Sequence, residues 1–304
     1  MTILMTGLCE KGADQIWKQC NDAMYAQGVT WLEEAAYAGD AEAWFFLGHC
    51  YSWGDGAVGF NEKKAYECYL RGASAGSARA VLGALRAGQY DEQMKQSARY
   101  SIEESYRQVR DAAEMGDVYA AWQMGEAVEW EDLADYMPQT ESAREQCLFW
   151  YERAADGGII PAMVKMGKCC QNGTYREKDE KEALRWANQC AASGEVWGLF
   201  QMGEHYRQEE DWEAAFQYDY AAAKQGSSRA MLYLGQMYLN GQGTERDIQA
   251  AVQALEGAAA RNEAESFEEL GNLFYQDELV ERDDEKAFYW YGKAYAAGIK
   301  EAAL

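Results

Sequence analysis

The residues best suited to chemistry in this 304-residue sequence are two histidines and eight cysteines. His49 and His205 are far apart, and the sequence contains no CxxC or HExxH spacing of the kind that binds zinc. Cys50 follows His49 directly, but neighbouring residues on a helix point in different directions, which does not suit a Cys–His nucleophile. The adjacent Cys169 and Cys170 diverge in the same way. We therefore expect neither a metal site nor a cofactor.

Carboxylates and glycine-rich turns offer the remaining routes to catalysis. Glu209 and Asp211 could serve a carboxylate-dependent hydrolase, but a chain with 51 acidic residues contains such pairs by chance. Segments 54–56 and 241–243 each hold two glycines, and no P-loop lysine follows them. We expect a protein that is not an enzyme. The hydrolase, and carbohydrate binding by exposed tryptophans, are kept as minor alternatives.

The composition is that of an all-helical protein. Apolar residues make up 48% of the chain, and the only prolines are Pro138 and Pro161. Proline breaks helix interiors, so its scarcity favours helices. The 28 basic and 51 acidic residues give a net charge of −23. This negative field disfavours nucleic acids and anionic membranes as partners.

The start of the chain does not read as a secretory signal. Residues 1–10 lack a basic segment, and Cys9 follows Leu8 rather than the small residue of a lipoprotein cleavage site. The sequence contains no apolar stretch of membrane-spanning length. We expect a cytoplasmic protein whose thiols are reduced and packed in the core.

A recurring phrase organises most of the chain. In its first clear copy, Gly39, Ala43, Leu47 and Tyr51 step by four residues and therefore share one face of a helix. A glycine preceded by leucine or methionine marks the same point in each copy. These glycines are Gly48, Gly83, Gly125, Gly167, Gly203, Gly235 and Gly271, with a degenerate copy around Gly83.

Each copy predicts two antiparallel helices, with a short turn at glycine, or at Asn262, leading to the next copy. Such a hairpin cannot bury its apolar face alone, so neighbouring hairpins must stack. The sequence therefore predicts an all-α fold, a right-handed α–α solenoid of about seven helical hairpins. We predict a helical cap over residues 1–29 and a single continuous repeat domain over residues 30–304.

The repeat resembles the Sel-1-like repeat, a relative of the tetratricopeptide repeat. The family pattern places Leu-Gly and Tyr on the first helix, a Gly-x-Gly turn, and then Lys-Ala and Trp-Tyr on the second. The best matches lie in residues 35–73, 222–258 and 258–294, and the resemblance covers roughly residues 30–304. The matching residues include Leu47, Gly48, Tyr51, Gly54, Gly56, Lys64, Ala65, Leu234, Gly235, Tyr238, Gly241, Gly243, Lys286, Ala287, Trp290 and Tyr291.

The resemblance implies an array that binds protein partners. Members of this family are often immunity proteins encoded beside secreted toxins. The sequence departs from the pattern in the degenerate unit at 76–110, in a long loop after Gly125 and in a shortened loop after Tyr206.

Stacked hairpins present a groove lined by the first helix of each repeat. We expect groove positions one and six residues after the small residue represented by Ala43. At the first position every equivalent is apolar: Trp44, Ala121, Met163, Leu199, Met231 and Phe267. These residues form either a tight core or a recognition strip, since tryptophan and methionine are good interface anchors. The predicted groove residues are Trp44, His49, Glu126, Lys168, Leu199, Glu204, Gln236 and Asn272.

An acidic insertion at 126–145 carries seven acidic residues against the single base Arg144. It is either a solvated loop or an acidic lip of the groove, because insertions in solenoids often project from a binding face. In the second case its partner-binding residues are Glu129, Trp130, Glu131, Asp132 and Tyr136.

These observations favour a non-catalytic protein-interaction solenoid. The hypothesis we prefer is a bacterial cytoplasmic immunity protein that sequesters a basic secreted toxin, because opposite charges speed encounter and suppress wrong partners. An adaptor or regulatory scaffold is the alternative.

Overall fold

The computed structural model describes residues 2–18, 22–54, 58–129, 143–276 and 280–299. These ranges form helices joined by turns, without a strand, and none of the helices described there is long and apolar enough to cross a membrane. The helices are α1 (Thr2–Trp17), α2 (Asp22–Tyr37), α3 (Ala41–Trp53), α4 (Glu62–Ala75), α5 (Ala78–Arg86), α6 (Glu92–Ser97), α7 (Ile102–Glu114), α8 (Val118–Glu129), α9 (Ala143–Asp156), α10 (Ile160–Asn172), α11 (Glu180–Ala192), α12 (Val196–Gln208), α13 (Trp212–Lys224), α14 (Ser228–Asn240), α15 (Ile248–Ala259), α16 (Ala264–Tyr275) and α17 (Asp284–Ala296).

Short polar side chains begin many of these helices. Asp40, for example, accepts hydrogen bonds from the backbone N–H groups of Glu42 and Ala43, which have no partner within the helix. Between hairpins the chain turns through a left-handed residue, usually glycine. Asn262 fills that place in one repeat with a φ of 61°, as its sequence position predicts. The turns thus fix where each helix starts and ends.

The helices pack as hairpins in two compact units, residues 1–186 and 187–304. In the first unit α1 pairs with α2, α3 with α4, α5 with α7, and α8 with α9. In the second, α12 pairs with α13, α14 with α15, and α16 with α17. Within each unit the second helix of one hairpin packs on the first helix of the next, for example α4 on α5 and α13 on α14. The predicted fold class, an all-α solenoid of helical hairpins, is confirmed.

Two details of the predicted organisation concern its boundaries. Helix α2 runs from Asp22 to Tyr37 and so crosses the predicted cap boundary at residue 29. The degenerate copy has a first helix of only nine residues, α5, which the short helix α6 follows before α7 begins. The assignment of a cap and one continuous domain stays a prediction.

A glycine on the first helix and a tyrosine on the second form the central contact of several hairpins. A Cβ atom on Gly125 would lie 2.7 Å from the ring of Tyr151, so only glycine lets the ring approach. The same contact joins two further pairs, Gly48 with Tyr69 and Gly271 with Tyr291. This packing explains why the Leu-Gly and Trp-Tyr pairs recur together in the sequence.

We predict that Gly271→Ala destabilises the protein, because the added methyl would meet the Tyr291 ring at 2.7 Å. Overpacking of this kind costs about 1–3 kcal/mol in the free energy of unfolding. Gly292→Ala on the paired helix α17 is the matched control, since its Cβ would meet no atom of the described part of the chain within 4 Å. Alanine there should stabilise the helix by up to about 1 kcal/mol. Urea unfolding of both variants in dilute solution checks the difference, and equal effects would contradict this role for Gly271.

The described cysteines are buried and carry thiols rather than disulfides. Burial raises the pKa of the Cys68 and Cys147 thiols to about 12, because the thiolate is poorly solvated there. Cys20 lies outside the described residues. The buried positions suit the predicted core-packing role of the thiols.

We predict that the seven described thiols react slowly with a thiol reagent in the native protein. Reaction needs an accessible thiolate, and burial removes both access and ionisation. In a Cys20→Ser variant, the native protein at pH 8 should show no rapid phase of reaction with the reagent. The denatured protein should react with seven equivalents of reagent per chain. A rapid native reaction of even one thiol would contradict this prediction.

Candidate partner-binding surface

The two predicted groove positions do not share a surface. Trp44 packs between α2 and α4, where its ring contacts Tyr37 at 5.3 Å and lies 4.9 Å from the guanidinium of Arg71. His49 instead faces α8, with its ring 4.7 Å from Trp122. Five residues turn a helix by about 140°, so Trp44 and His49 lie on different sides of α3.

The apolar set of positions belongs mainly to the core. Ala121, Leu199 and Phe267 are buried, and the other members are at most half-buried against neighbouring core residues. The core-packing interpretation therefore describes these positions better than a recognition strip. Leu199, which we predicted as a groove residue, is 6% exposed and offers little surface to a partner.

An aromatic cluster lines the inner side of the first helices in the first unit. Phe46 of α3 and Trp122 of α8 enclose the ring of Trp17, which reaches them from α1 at centroid distances of 5.2 and 5.9 Å. His49 and Tyr119 complete the enclosure at 5.5 and 6.2 Å from Trp17. Sequence analysis missed this cluster because nothing in the repeat pattern shows that α1 reaches α8.

Beside this cluster lies a group that we call the Trp53 patch, which consists of the partly exposed Trp53, Arg86 and Glu126 and the buried Gln123. Trp53 is 48% exposed, and the guanidinium of Arg86 lies 5.0 Å from its ring centre. These residues surround a cavity of about 20 Å³, room for about one water molecule. Two predicted residues, His49 and Glu126, meet here with 3.9 Å between Nε2 and Oε2. Trp53 was missed although it lies about one helical turn after His49, and Arg86 was missed because no groove residue was predicted on α5.

Glu129 is not a free acid of the predicted lip. Its carboxylate accepts a hydrogen bond of 2.7 Å from the Tyr151 hydroxyl and forms an ion pair with Lys165 of α10. Burial and the neighbouring Glu129 raise the pKa of Tyr151, so this tyrosine stays protonated as the donor. Glu129 thus joins α8, α9 and α10, and the prediction that it faces solvent is wrong. Trp130, Glu131, Asp132 and Tyr136 lie outside the described residues.

The remaining predicted groove residues are accessible. Lys168 is exposed on α10. In the second unit, Glu204 is half-buried, and Gln236 donates a hydrogen bond of 2.9 Å to Glu269 on the neighbouring first helix. Asn272 accepts a hydrogen bond of 2.8 Å from the hydroxyl of Tyr291. Their role in binding stays a prediction.

One hairpin of the second unit replaces the glycine–tyrosine contact with a buried ion pair. Asp219 takes the tyrosine position opposite Gly203 and pairs with Arg207, which also lies 3.7 Å from the ring centre of Tyr233. Burial raises the pKa of Asp219 to about 6, although the adjacent Arg207 acts in the opposite direction. This pair was not anticipated from the sequence, where Asp219 stands among aromatic and alanine residues of α13.

The described residues show no arrangement typical of catalysis. No group of three or more potential metal ligands comes together among them. Asp211 accepts a hydrogen bond from the backbone N–H of Ala214 and so caps α13, while Glu209 is exposed at the end of α12. Glu209 and Asp211, the pair considered for a hydrolase, thus lie where α12 ends and α13 begins.

The hairpins and their glycine–tyrosine contacts agree with the family comparison. A model of the Sel1 repeat matches residues 23–40, 41–77, 118–159, 160–195, 228–262 and 268–299, more than half of the chain. The chain belongs to the Sel1 repeat family. Proteins of this family are generally non-catalytic scaffolds that bind protein partners. The unmatched stretches contain the degenerate copy and the hairpin with the Arg207–Asp219 pair, where the structure departs from the repeat.

Solved structures support the fold of this Sel1 repeat protein. A protective antigen of uropathogenic Escherichia coli with an SLR fold is 22% identical, with a TM-score of 0.65, over 98% of this chain and 62% of its own. A Sel1 repeat protein of Oxalobacter formigenes is 21% identical, with a TM-score of 0.55, over 98% and 84%. An uncharacterised protein of Neisseria meningitidis serogroup B is 26% identical over 195 residues, 63% of this chain. The chain spans only 38% of that relative's length.

We predict that Asp219→Leu strongly destabilises the second unit, because it leaves the charge of Arg207 buried without its partner. Breaking a buried pair in this way costs about 3–5 kcal/mol in the free energy of unfolding. The double variant Arg207→Leu/Asp219→Leu should recover most of that loss, since apolar residues replace both charges. Chemical unfolding of both variants checks this, and a double variant less stable than the single one would contradict it.

The raised pKa of Asp219 also predicts a pH dependence. An acid whose pKa is higher in the folded than in the unfolded protein lowers stability as pH rises between the two values, here 3.8 and about 6. The stability of the wild type relative to Asp219→Asn should therefore fall by up to about 3 kcal/mol from pH 4 to pH 7. Unfolding free energies of both proteins across that range measure the difference. A difference that stays constant or rises with pH would contradict the raised pKa.

Proposed function

We propose that this Sel1 repeat protein is a cytoplasmic immunity protein that sequesters a basic secreted toxin. The observation that carries the proposal is the net charge of −23 on a protein-interaction solenoid without an apparent catalytic arrangement among its described residues. A negative field of this size accelerates the approach of a basic protein and repels acidic competitors.

The Trp53 patch supplies the short-range part of this recognition. Tryptophan and arginine are among the residue types that most often dominate binding energy at interfaces. Arg86 already lies against the Trp53 ring, so both side chains are partly ordered before a partner arrives. Such preorganisation reduces the entropy lost on binding.

The acidic segment after α8 supplies long-range attraction in the same proposal. Glu129 is engaged with Tyr151 and Lys165, so the acids that remain for a partner include Glu131 and Asp132. Attraction between exposed charges acts before contact and is screened over about 8 Å at physiological salt. These acids should therefore affect association, and the patch should affect dissociation.

We predict different kinetic effects for two sets of variants. Trp53→Ala should accelerate dissociation by about thirtyfold or more, the equivalent of losing a hot spot of about 2 kcal/mol. Reversing the charge of Glu131 and Asp132 should slow association several-fold at low salt and much less at high salt. Stopped-flow measurements with the partner, first captured from the native host and identified by mass spectrometry, check both effects.

Trp44→Ala is the matched control, because Trp44 packs against Tyr37 and Arg71 away from the patch. If only Trp44→Ala accelerates release, the partner binds at the other side of α3. Expression of the captured partner with and without this protein tests the immunity role. A partner that is not basic, or that is not toxic when expressed alone, would overturn the toxin assignment and favour an adaptor.

A further inference from the structure

Helix α17 exposes an aromatic face that no described helix covers. Phe288 is 78% exposed, Tyr289 54% and Tyr295 61%, whereas Ala287, Tyr291 and Ala294 on the opposite side are buried. On a helix with 100° per residue, the exposed residues centre on Gly292. Phe288, Tyr289, Tyr295 and the exposed Ala296 all lie within about 60° of it.

In earlier hairpins the positions of Phe288 and Tyr295 face the next helix, whereas the position of Gly292, held by Tyr220 in α13 and Glu256 in α15, is exposed. Phe216 of α13 occupies the position of Phe288 and contacts the ring of Tyr238 on α14 edge-on, at 5.4 Å. In α15 the positions of Phe288 and Tyr295 hold Val252 and Ala259, and Ala259 is buried where α16 packs. Residues at these positions therefore belong in a helix–helix contact.

Gly292 gives this face an unusual centre. Glycine in a helix interior costs about 1 kcal/mol relative to alanine, and no atom of the described residues lies near enough to require its small size. Some helix glycines of this protein receive an aromatic ring from the neighbouring helix, as Gly125 receives Tyr151. Gly292 is likewise a glycine in a helix interior, but no ring of a described residue packs on it.

We propose that α17 binds α17 of a second copy of this chain, antiparallel and with a two-fold axis at Gly292. An isologous contact needs a self-complementary surface, and this one is self-complementary about Gly292. Because Phe288 and Ala296 are equidistant from Gly292, the axis places a large ring over a small side chain. It likewise places Tyr289 beside Tyr295 of the other copy, and the two glycines let the helices approach closely.

The size and charge of the contact set its expected behaviour. One helix pair buries less than the roughly 1,600 Å² of a standard stable interface, so we expect a dissociation constant in the micromolar range. Each copy carries a charge of −23. Added salt should therefore strengthen the dimer by screening repulsion, whereas it should weaken binding of a basic partner.

Analytical ultracentrifugation of the full chain from about 1 to about 100 μM, concentrations that bracket a micromolar dissociation constant, tests the proposal. The wild type should pass from monomer to dimer. Gly292→Leu should weaken dimerisation more than tenfold, because its side chain blocks the crossing point. The same variant should keep or raise monomer stability, since no described residue lies within 4 Å of that position and leucine favours helices.

Removal of an aromatic elsewhere provides the control. Phe288→Ser should also abolish the dimer, while Tyr37→Ser, which removes a 74% exposed ring from α2, should not. A monomer at every concentration would overturn the proposal. A dimer that Gly292→Leu leaves intact, or assembly into species larger than a dimer, would also overturn it. So would a Gly292→Leu variant that still dimerises but no longer binds a basic partner.

Discussion

A tyrosine ring placed against a glycine holds the two helices of a hairpin together, and much of the structure depends on it. The ring of Tyr69 occupies the space that a side chain on Gly48 would need, and Tyr151 and Tyr291 repeat the arrangement. Glycine weakens an isolated helix, so its recurrence makes sense only once the hairpin forms. The same tyrosines place their hydroxyls beside first-helix polar groups, so the core contact also orders the surface.

Departures from this contact show what else the hairpin geometry tolerates. Leu255 fills the space opposite Gly235 with an aliphatic side chain, which leaves an ordinary apolar core. Asp219 fills it with a charge, and Arg207 must then compensate for the lost hydration. Arg207 in turn lies against Tyr233, so one substitution in the core has reorganised the neighbouring surface. Hairpins with the same backbone arrangement can thereby carry side chains of different chemistry at equivalent positions.

The helices and the hairpin fold were predictable because they depend on local patterns. The periodic glycines and the apolar residues spaced four apart mark these elements directly. Surface residues were harder to predict, since a small angular error moves a position from groove to core, as with Leu199. The enclosure of Trp17 by Trp122 could not be found at all, because it depends on packing between helices about 100 residues apart. Glu129 was misassigned because its partners come from two other helices.

The net charge and the aromatic anchor residues contribute in different ways to the binding of a partner. A charge of −23 acts at a distance and selects a class of partner, yet it carries little information about one particular surface. Specific binding must come from a few ordered contacts, which Trp53 and Arg86 provide in the first unit. The aromatic face of α17 belongs to the second unit and shares no residue with the Trp53 patch. Two kinds of recognition can therefore evolve separately within one array of hairpins.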